Sequence, residues 1–213
     1  MPVKIILHLC SKHGSDSRYY DLDPAYKVIK IGIDIGVENF SPSPNIKVHG
    51  IIMNPVCTKF SMVSGVPRTK EDLDEGMFLV KECLRIKDEC EALGGLKFWV
   101  MENPGAGMLH KRIGKPKHKY HPWMYGSPWT KSTSLWGDFS MPEPTVKNRA
   151  DTVLREGIYI RPRDTMPSLA ILHKSAVKFM PEYDWCADDI HNDSDLRSLC
   201  SDGFAKQLYL HNQ

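Results

Sequence analysis

The chain has 213 residues, 41% hydrophobic and 25% charged, a balance that fits an ordinary globular protein and excludes a disordered or fibrous one. Its formal net charge of +2 is too small to announce a polyanion partner by itself. No run approaches the ~18 apolar residues of a membrane span, and the N-terminus lacks the basic start and apolar stretch of a secretory signal, so a cytoplasmic protein is expected.

Residues 3–9 are a short apolar run, predicted as a strand, and a polar turn from Cys10 to Ser17 follows with one glycine, Gly14. A second run, 28–33, ends at Asp34. A third, 50–53, leads into Asn54-Pro55-Val56-Cys57-Thr58-Lys59-Phe60-Ser61, and a fourth, 96–101, ends at Glu102-Asn103-Pro104. Short apolar runs without alternation suit strands covered on both faces, hence a parallel sheet flanked by helices. Between the third and fourth runs the spacing predicts a helix that starts after Thr69, with Asp72 completing a capping box. Leu73, Met77, Val80 and Leu84 would form its inward stripe, and Gly94-Gly95 would end it. Such a strand, helix and strand make a right-handed crossover. Ligands then bind at the carboxyl ends of the strands, where Gly14, Asp34, Cys57 and Glu102 are expected.

Further along, Lys111, Arg112, Lys115, Lys117, Lys119 and Lys131 occur with no acid among them, interleaved with Tyr120, Trp123, Tyr125 and Trp129. This mixture suits phosphate contacts with base stacking, and a solvated loop equally. An acidic counterpart runs from Glu182 to Asp195. Residues 138–196 are rich in proline (142, 144, 162, 167, 181), with a strand expected at 157–160. The expected architecture is one doubly wound, mostly parallel α/β domain over 1–213, in which 138–196 is a small irregular insertion. The six cysteines (Cys10, Cys57, Cys83, Cys90, Cys186, Cys200) contain no CxxC pair, so free thiols in a reducing compartment are expected. His110, His118, His121, Cys186, His191 and Cys200 match no closed zinc spacing, and no metal is expected.

Cys57 and Glu102 carry the chemistry. A thiolate and a carboxyl at neighbouring strand ends can add a nucleophile to one face of a cytosine ring while protonating its far edge. The plainer readings are a buried, unreactive thiol and a helix-capping acid. Against them, Pro55 before Cys57 and the polar Thr58, Lys59 and Ser61 after it describe a loop, and Glu102 leaves the buried run Phe98-Trp99-Val100-Met101.

The order of turn, acidic strand end, Pro-x-Cys loop and Glu-Asn-Pro resembles the DNA cytosine carbon-5 methyltransferases, in particular the small divergent versions of phages and bacteria. Tyr125-Gly126-Ser127-Pro128-Trp129-Thr130-Lys131-Ser132-Thr133-Ser134-Leu135-Trp136-Gly137 looks like the family's later motif, and residues 204–210 resemble its last helix, which packs beside the cofactor turn. The resemblance covers 3–61, 96–139 and 198–212. It implies a Rossmann-like fold of the class I S-adenosylmethionine-dependent methyltransferases, acting on a cytosine flipped from DNA. Cys57 would attack carbon 6, Glu102 would bind or protonate ring nitrogen 3, and Lys131 would supply a cation. The cofactor, S-adenosylmethionine, would meet Cys10, Ser11, Gly14, Ser15, Asp34, Ile35, Asn54 and Pro55, with Asp34 on the ribose hydroxyls. Nucleic acid would meet Ser61, Asn103, Lys111, Arg112, Lys115, Lys117, Lys119 and Trp129.

The sequence departs from the family at Val56, where a second proline is usual, and in the cofactor turn, where Lys12 and His13 replace small residues. Trp129, Lys131 and Thr133 stand where a glutamine and two arginines are usual, so bidentate phosphate clamping is lost there. Two other functions stay open at this point: a same-fold enzyme acting on a free pyrimidine nucleotide or RNA, and a DNA-binding protein that has lost turnover. A monomer in a bacterial or phage-infected cell is expected, with or without a partner that supplies recognition surface.

Overall fold

Runs rich in Ile, Val, Leu and aromatic residues fit a pleated, covered surface better than a helix, and they become a six-stranded sheet. The computed structural model describes residues 2–61 and 68–213. Strands β1 (Lys4–Leu9), β2 (Tyr26–Ile31), β3 (Val48–Met53) and β4 (Phe98–Pro104) pair in parallel. β5 (His118–Tyr120) and β6 (Thr133–Asp138) close one edge, with β6 antiparallel to both β4 and β5. The chain moves from β1 to β2 on one side and returns past β1 to β3 on the other, which opens a crevice at the carboxyl ends of β1 and β3.

Helices cover both faces. The first, α1 (Arg18–Leu22), follows the polar turn, and α2 (Lys70–Leu93) is the predicted crossover helix. Its capping box is complete, since the Asp72 amide donates to Thr69 Oγ1 at 3.1 Å and the Thr69 amide to Asp72 Oδ2 at 3.2 Å. Leu73, Met77 and Val80 face Leu7, Leu9, Ile51 and Met53 as expected. Leu84 is only half-buried; Cys83, Ile86 and Cys90 take the inward positions further along. The buried face thus rotates along the helix, as it must when a long helix lies on a twisted sheet. Full burial of each large aliphatic side chain in this layer stabilises the fold by roughly 1.5–3 kcal/mol.

A short α3 (His110–Ile113) follows β4, while α4 (Asp193–Ser198) and α5 (Asp202–His211) end the chain. On the second face Tyr20 of α1 and Phe204, Ala205 and Leu208 of α5 pack on Ile6, Ile52, Phe98 and Val100. Tyr120 stacks on Phe204 at 4.1 Å between ring centroids, and Tyr125 meets the same ring edge-on at 5.1 Å. These two tyrosines belong to the core and not, as their basic neighbours suggested, to a base-stacking surface.

Residues 138–196 hold no strand at 157–160, where a turn with Gly157 at φ +85° stands instead. Prolines at 162, 167 and 181 remove ladder donors, and the segment folds as short 3-10 helices. They wrap a separate small core of Trp129, Leu169, Leu172, Met180, Tyr183 and Leu196.

At Gly203 α5 lies directly against the backbone of Tyr125, because a Cβ there would lie 2.0 Å from the Tyr125 carbonyl oxygen. Gly203→Ala is therefore expected to displace the helix at a cost of about 1–3 kcal/mol. A thermal melt should show a midpoint lower by roughly 2–4 °C for each kcal/mol, and an unchanged midpoint would mean that α5 does not dock in this way.

Candidate active site

Parallel pairing of β3 with β4 stops at Met53 opposite Met101. β4 runs on, and Glu102, Asn103 and Pro104 pair only with Leu135, Ser134 and Thr133 of β6. Glu102 is thus inside its strand and not just past its end, as the sequence suggested, yet it still overhangs the crevice beyond β3. Across the crevice, in the order of the strands, lie Asp34, Gly14, Cys57 and Glu102.

The loop that carries Cys57 is pinned at several points. The Asn54 amide donates to Leu9 O at 3.0 Å, and the Cys57 carbonyl accepts from the amides of Phe60 (2.9 Å) and Ser61 (2.8 Å). The Met108 amide reaches Phe60 O at 2.9 Å. From β4, Asn103 Nδ2 donates to Pro55 O at 3.0 Å. Asn103 is fully buried, so its side chain fastens the loop and does not face nucleic acid. Ser61 closes the loop and its carbonyl accepts from the Arg68 guanidinium at 3.3 Å.

Cys57 itself is a free, half-buried thiol. Burial pushes its pKa up, the Glu102 charge adds to that, and Lys131 opposes it. Lys131 Nζ lies 3.6 Å from Glu102 Oε1, too far for a hydrogen bond but close enough for a loose ion pair. Burial also raises the Glu102 pKa; Lys131 pulls it back, and the nearby Asp16 charge raises it further. Burial works against the Lys131 ammonium, but Glu102 and Asp16 hold its pKa above the ordinary lysine value. Glu102 Oε1 is buried without a hydrogen-bond partner among the described residues. An orphaned carboxyl oxygen of this kind costs free energy unless a ligand completes it.

Behind this trio is a polar network that sequence reasoning missed. His8 is buried within β1 and links Ser17 Oγ at Nδ1 (2.8 Å) to Asn54 Oδ1 at Nε2 (2.8 Å). Burial lowers the His8 pKa and favours the neutral ring. Asn54 Nδ2 then donates to Asp16 Oδ1 at 3.2 Å. A lone histidine in an otherwise apolar strand was the available signal. Asp16 had none, because an acid in a polar turn is commonplace.

On the β1 side of the crevice, Gly14 adopts φ +80°, which lets the turn after β1 close. Cys10 also has positive φ (+56°), and its sulfur lies 3.8 Å from that of Cys83 on α2, so only its backbone borders the crevice. Ser15 is occupied, accepting from the Cys200 amide at 3.0 Å. Lys12 reaches away to the buried carboxylate of Asp195. The residues left open fit a nucleoside. The buried Ser11 hydroxyl lacks a partner among the described residues, Asp34 is exposed three residues past β2, and Ile35 presents an apolar side chain 44% exposed. A Cβ at Gly32 would come within 2.8 Å of Ser11 O and 2.9 Å of Asp34 Oδ1, so the two loops approach closely there. Among the described residues no cluster of His, Cys, Asp or Glu could hold a metal ion, and no helix is long and apolar enough to cross a membrane.

Of the basic residues, His110, Lys115, Lys117, His118 and Lys119 line an open groove with Gly105, two residues past Asn103. Lys111 is exposed on α3, whereas Arg112 is paired with Asp74 of α2 at 2.8 Å. Trp129 corrects the expectation. It is 1% exposed and packs near Tyr183, with the Arg155 guanidinium 5.6 Å from its ring centre, so no base can stack on it.

No protein-family model and no curated protein matches the chain. Among solved structures, it is similar to an E. coli protein assigned as a DNA modification methyltransferase encoded within a prophage, with a TM-score of 0.50 and 14% identity over 76% of this chain. The likeness is one of fold. Both share an α/β, Rossmann-like architecture, and this chain spans 56% of that neighbour's length.

The charges around Cys57 make a testable sign prediction. Glu102→Gln removes a charge that opposes thiolate formation, and Lys131→Met removes one that favours it. The pH midpoint for alkylation of Cys57 by iodoacetamide, followed by mass spectrometry, should fall in the first variant and rise in the second.

Proposed function

We propose that the protein is an S-adenosylmethionine-dependent methyltransferase that modifies carbon 5 of cytosine in DNA through a covalent Cys57 adduct. The observation that supports this reading best is the arrangement at the ends of β3 and β4: a half-buried thiol, a carboxyl with an unpartnered oxygen, and an ammonium beside that carboxyl. A neutral carboxyl can donate to a ring nitrogen while a sulfur attacks the same ring from its face.

In this reading Cys57 as thiolate forms a bond to carbon 6, and the displaced π electrons make carbon 5 nucleophilic. Glu102 donates a proton or hydrogen bond to nitrogen 3 and so stabilises the added charge. Lys131 balances Glu102 when that carboxyl gives its proton away. Ser11, the Gly14 turn, Asp34 and Ile35 would hold S-adenosylmethionine, whose sulfonium would give its methyl group to carbon 5 and leave as the neutral thioether. Water takes the carbon-5 proton, the bond to carbon 6 breaks to release Cys57 as thiolate, and the nitrogen-3 proton returns to Glu102, which restores the ring. The target must be out of the base stack, because carbon 6 is shielded in a duplex. Lys111, Lys115, Lys117 and Lys119 serve the phosphates, which positions the strand without reading sequence. Residues 1–213 act as one catalytic unit, with 138–196 in the place of a recognition region.

Cys57→Ser should abolish methyl transfer, read as 5-methylcytosine by nucleoside mass spectrometry, while the melting temperature stays within a few degrees. A DNA oligonucleotide carrying 5-fluorocytosine should trap an adduct on Cys57 that resists denaturing gels. Full activity of the serine variant would remove Cys57 as nucleophile, and tight DNA binding with no adduct would favour a protein that only binds.

Replacing Lys115, Lys117 and Lys119 together by Ala should lower the slope of log affinity against log salt by roughly two to three, about 0.9 for each phosphate no longer neutralised. An unchanged slope in a filter-binding assay would leave these lysines as solvated bystanders.

A further inference from the structure

Along β1, Leu7 and Leu9 face the layer under α2 while Ile6 faces α5. Strand alternation would therefore send Cys10 to the α5 side with Ile6 and His8. It does not go there. Its backbone takes φ +56°, a left-handed conformation that a residue with a Cβ adopts only at a cost, and its side chain packs on the α2 layer instead. Its sulfur thereby stands 3.8 Å from that of Cys83, which α2 holds fully buried. The other four cysteines are free and have no second sulfur beside them among the described residues. A strained backbone that brings two nucleophilic sulfurs together, in a place the chemistry of Cys57 does not use, points to a second reaction.

We propose that Cys10 and Cys83 form a redox-modification site, in which a hydroperoxide oxidises Cys10 and Cys83 then closes a disulfide that clamps the turn after β1 to α2. Cys10 is the half-buried member of the pair and so the one an oxidant reaches. Its thiolate attacks one peroxide oxygen, the O–O bond breaks, and the departing hydroxide takes up a proton to become water. Cys10 is left as the sulfenic acid. The Cys83 thiol gives up its proton and attacks the Cys10 sulfur; the S–O bond breaks, and that hydroxide leaves with the proton as a second water. Two thiols are oxidised by two electrons in all, and one peroxide is reduced to two waters.

The disulfide requires the sulfurs to close from 3.8 Å by roughly 1.8 Å. Cys10 lies in the turn just past β1, so it can move without breaking the strand ladder. The hydrogen bond with Cys83 lowers the Cys10 pKa against the effect of burial, whereas burial and the Glu102 charge raise that of Cys57. The thiolate is the reactive form, so Cys10 is oxidised ahead of Cys57. Ser11 and Gly14 share the turn with Cys10, and the clamp acts directly on that border of the crevice.

The test is peptide mapping of the native full chain after brief exposure to hydrogen peroxide, with free thiols then blocked by iodoacetamide and no reductant added. A peptide pair joined through Cys10 and Cys83 should appear, lighter than its parts by two hydrogen atoms and separated again by dithiothreitol. Iodoacetamide labelling of Cys10 should be lost while labelling of Cys57 persists. In Cys83→Ala the sulfenic acid on Cys10 has no resolving thiol, so dimedone should tag Cys10 there and not in the wild type. Should that variant fail to fold, the wild-type map still decides. Oxidation of Cys57 with Cys10 and Cys83 left free would overturn the proposal, and so would a Cys10–Cys83 link that forms only in denaturant.

Discussion

The hydrogen bond from Asn103 to the Pro55 carbonyl couples the two strands on which the site is built. β3 ends where the parallel ladder ends, and β4 continues for three residues on the support of β6. That difference in length leaves Glu102 overhanging a gap, and Asn103, the next residue, uses its amide to fix the Cys57 loop across the gap. A side chain on the strand that presents the carboxyl thus also fixes the backbone that presents the sulfur. Truncating it would leave a buried carbonyl unpaired, at roughly 1–3 kcal/mol. It would also let sulfur and carboxyl drift relative to each other.

The electrostatics follow from this geometry. Bringing a thiol, two carboxyls and an ammonium into one poorly solvated place shifts the behaviour of the group as a whole, with burial as the leading cause for Cys57 and Glu102. Lys131 keeps its charge there because Glu102 and Asp16 oppose the effect of burial. A solvated surface could not do this, since water would screen the charges and the groups would titrate nearly as free side chains.

Much of the sheet was legible in the sequence because its strands are covered on both sides and read as apolar runs. The crossover helix was legible for a different reason. Thr69 and Asp72 mark its start and Gly94 its end, and these are local signals. The later half was not legible in the same way. Tyr120, Tyr125 and Trp129 sit among lysines in sequence, but three-dimensional packing separates them: the lysines stay at the surface while the rings enter two cores. Charge and aromatic content in a short window cannot reveal that division. The strand expected at 157–160 failed because nothing in a local pattern shows whether a partner edge is available. At the site, Cys57 and Glu102 stood out through their flanking residues, whereas His8 and Asp16 gain meaning only once β1 and β3 lie side by side.

The ion pair of Lys12 with Asp195 ties the turn after β1 to the proline-rich segment nearly the whole chain away. Burial disfavours the Asp195 carboxylate, yet Lys12 and the amides of His191 and Asn192 hold it ionised. The Cys200 amide on Ser15 makes a second tie nearby. The proline-rich segment is therefore also a support of the turn that follows β1. Exchanging that segment would be no modular operation, since a transplanted piece lacking that aspartate would leave Lys12 without its buried partner and loosen the turn.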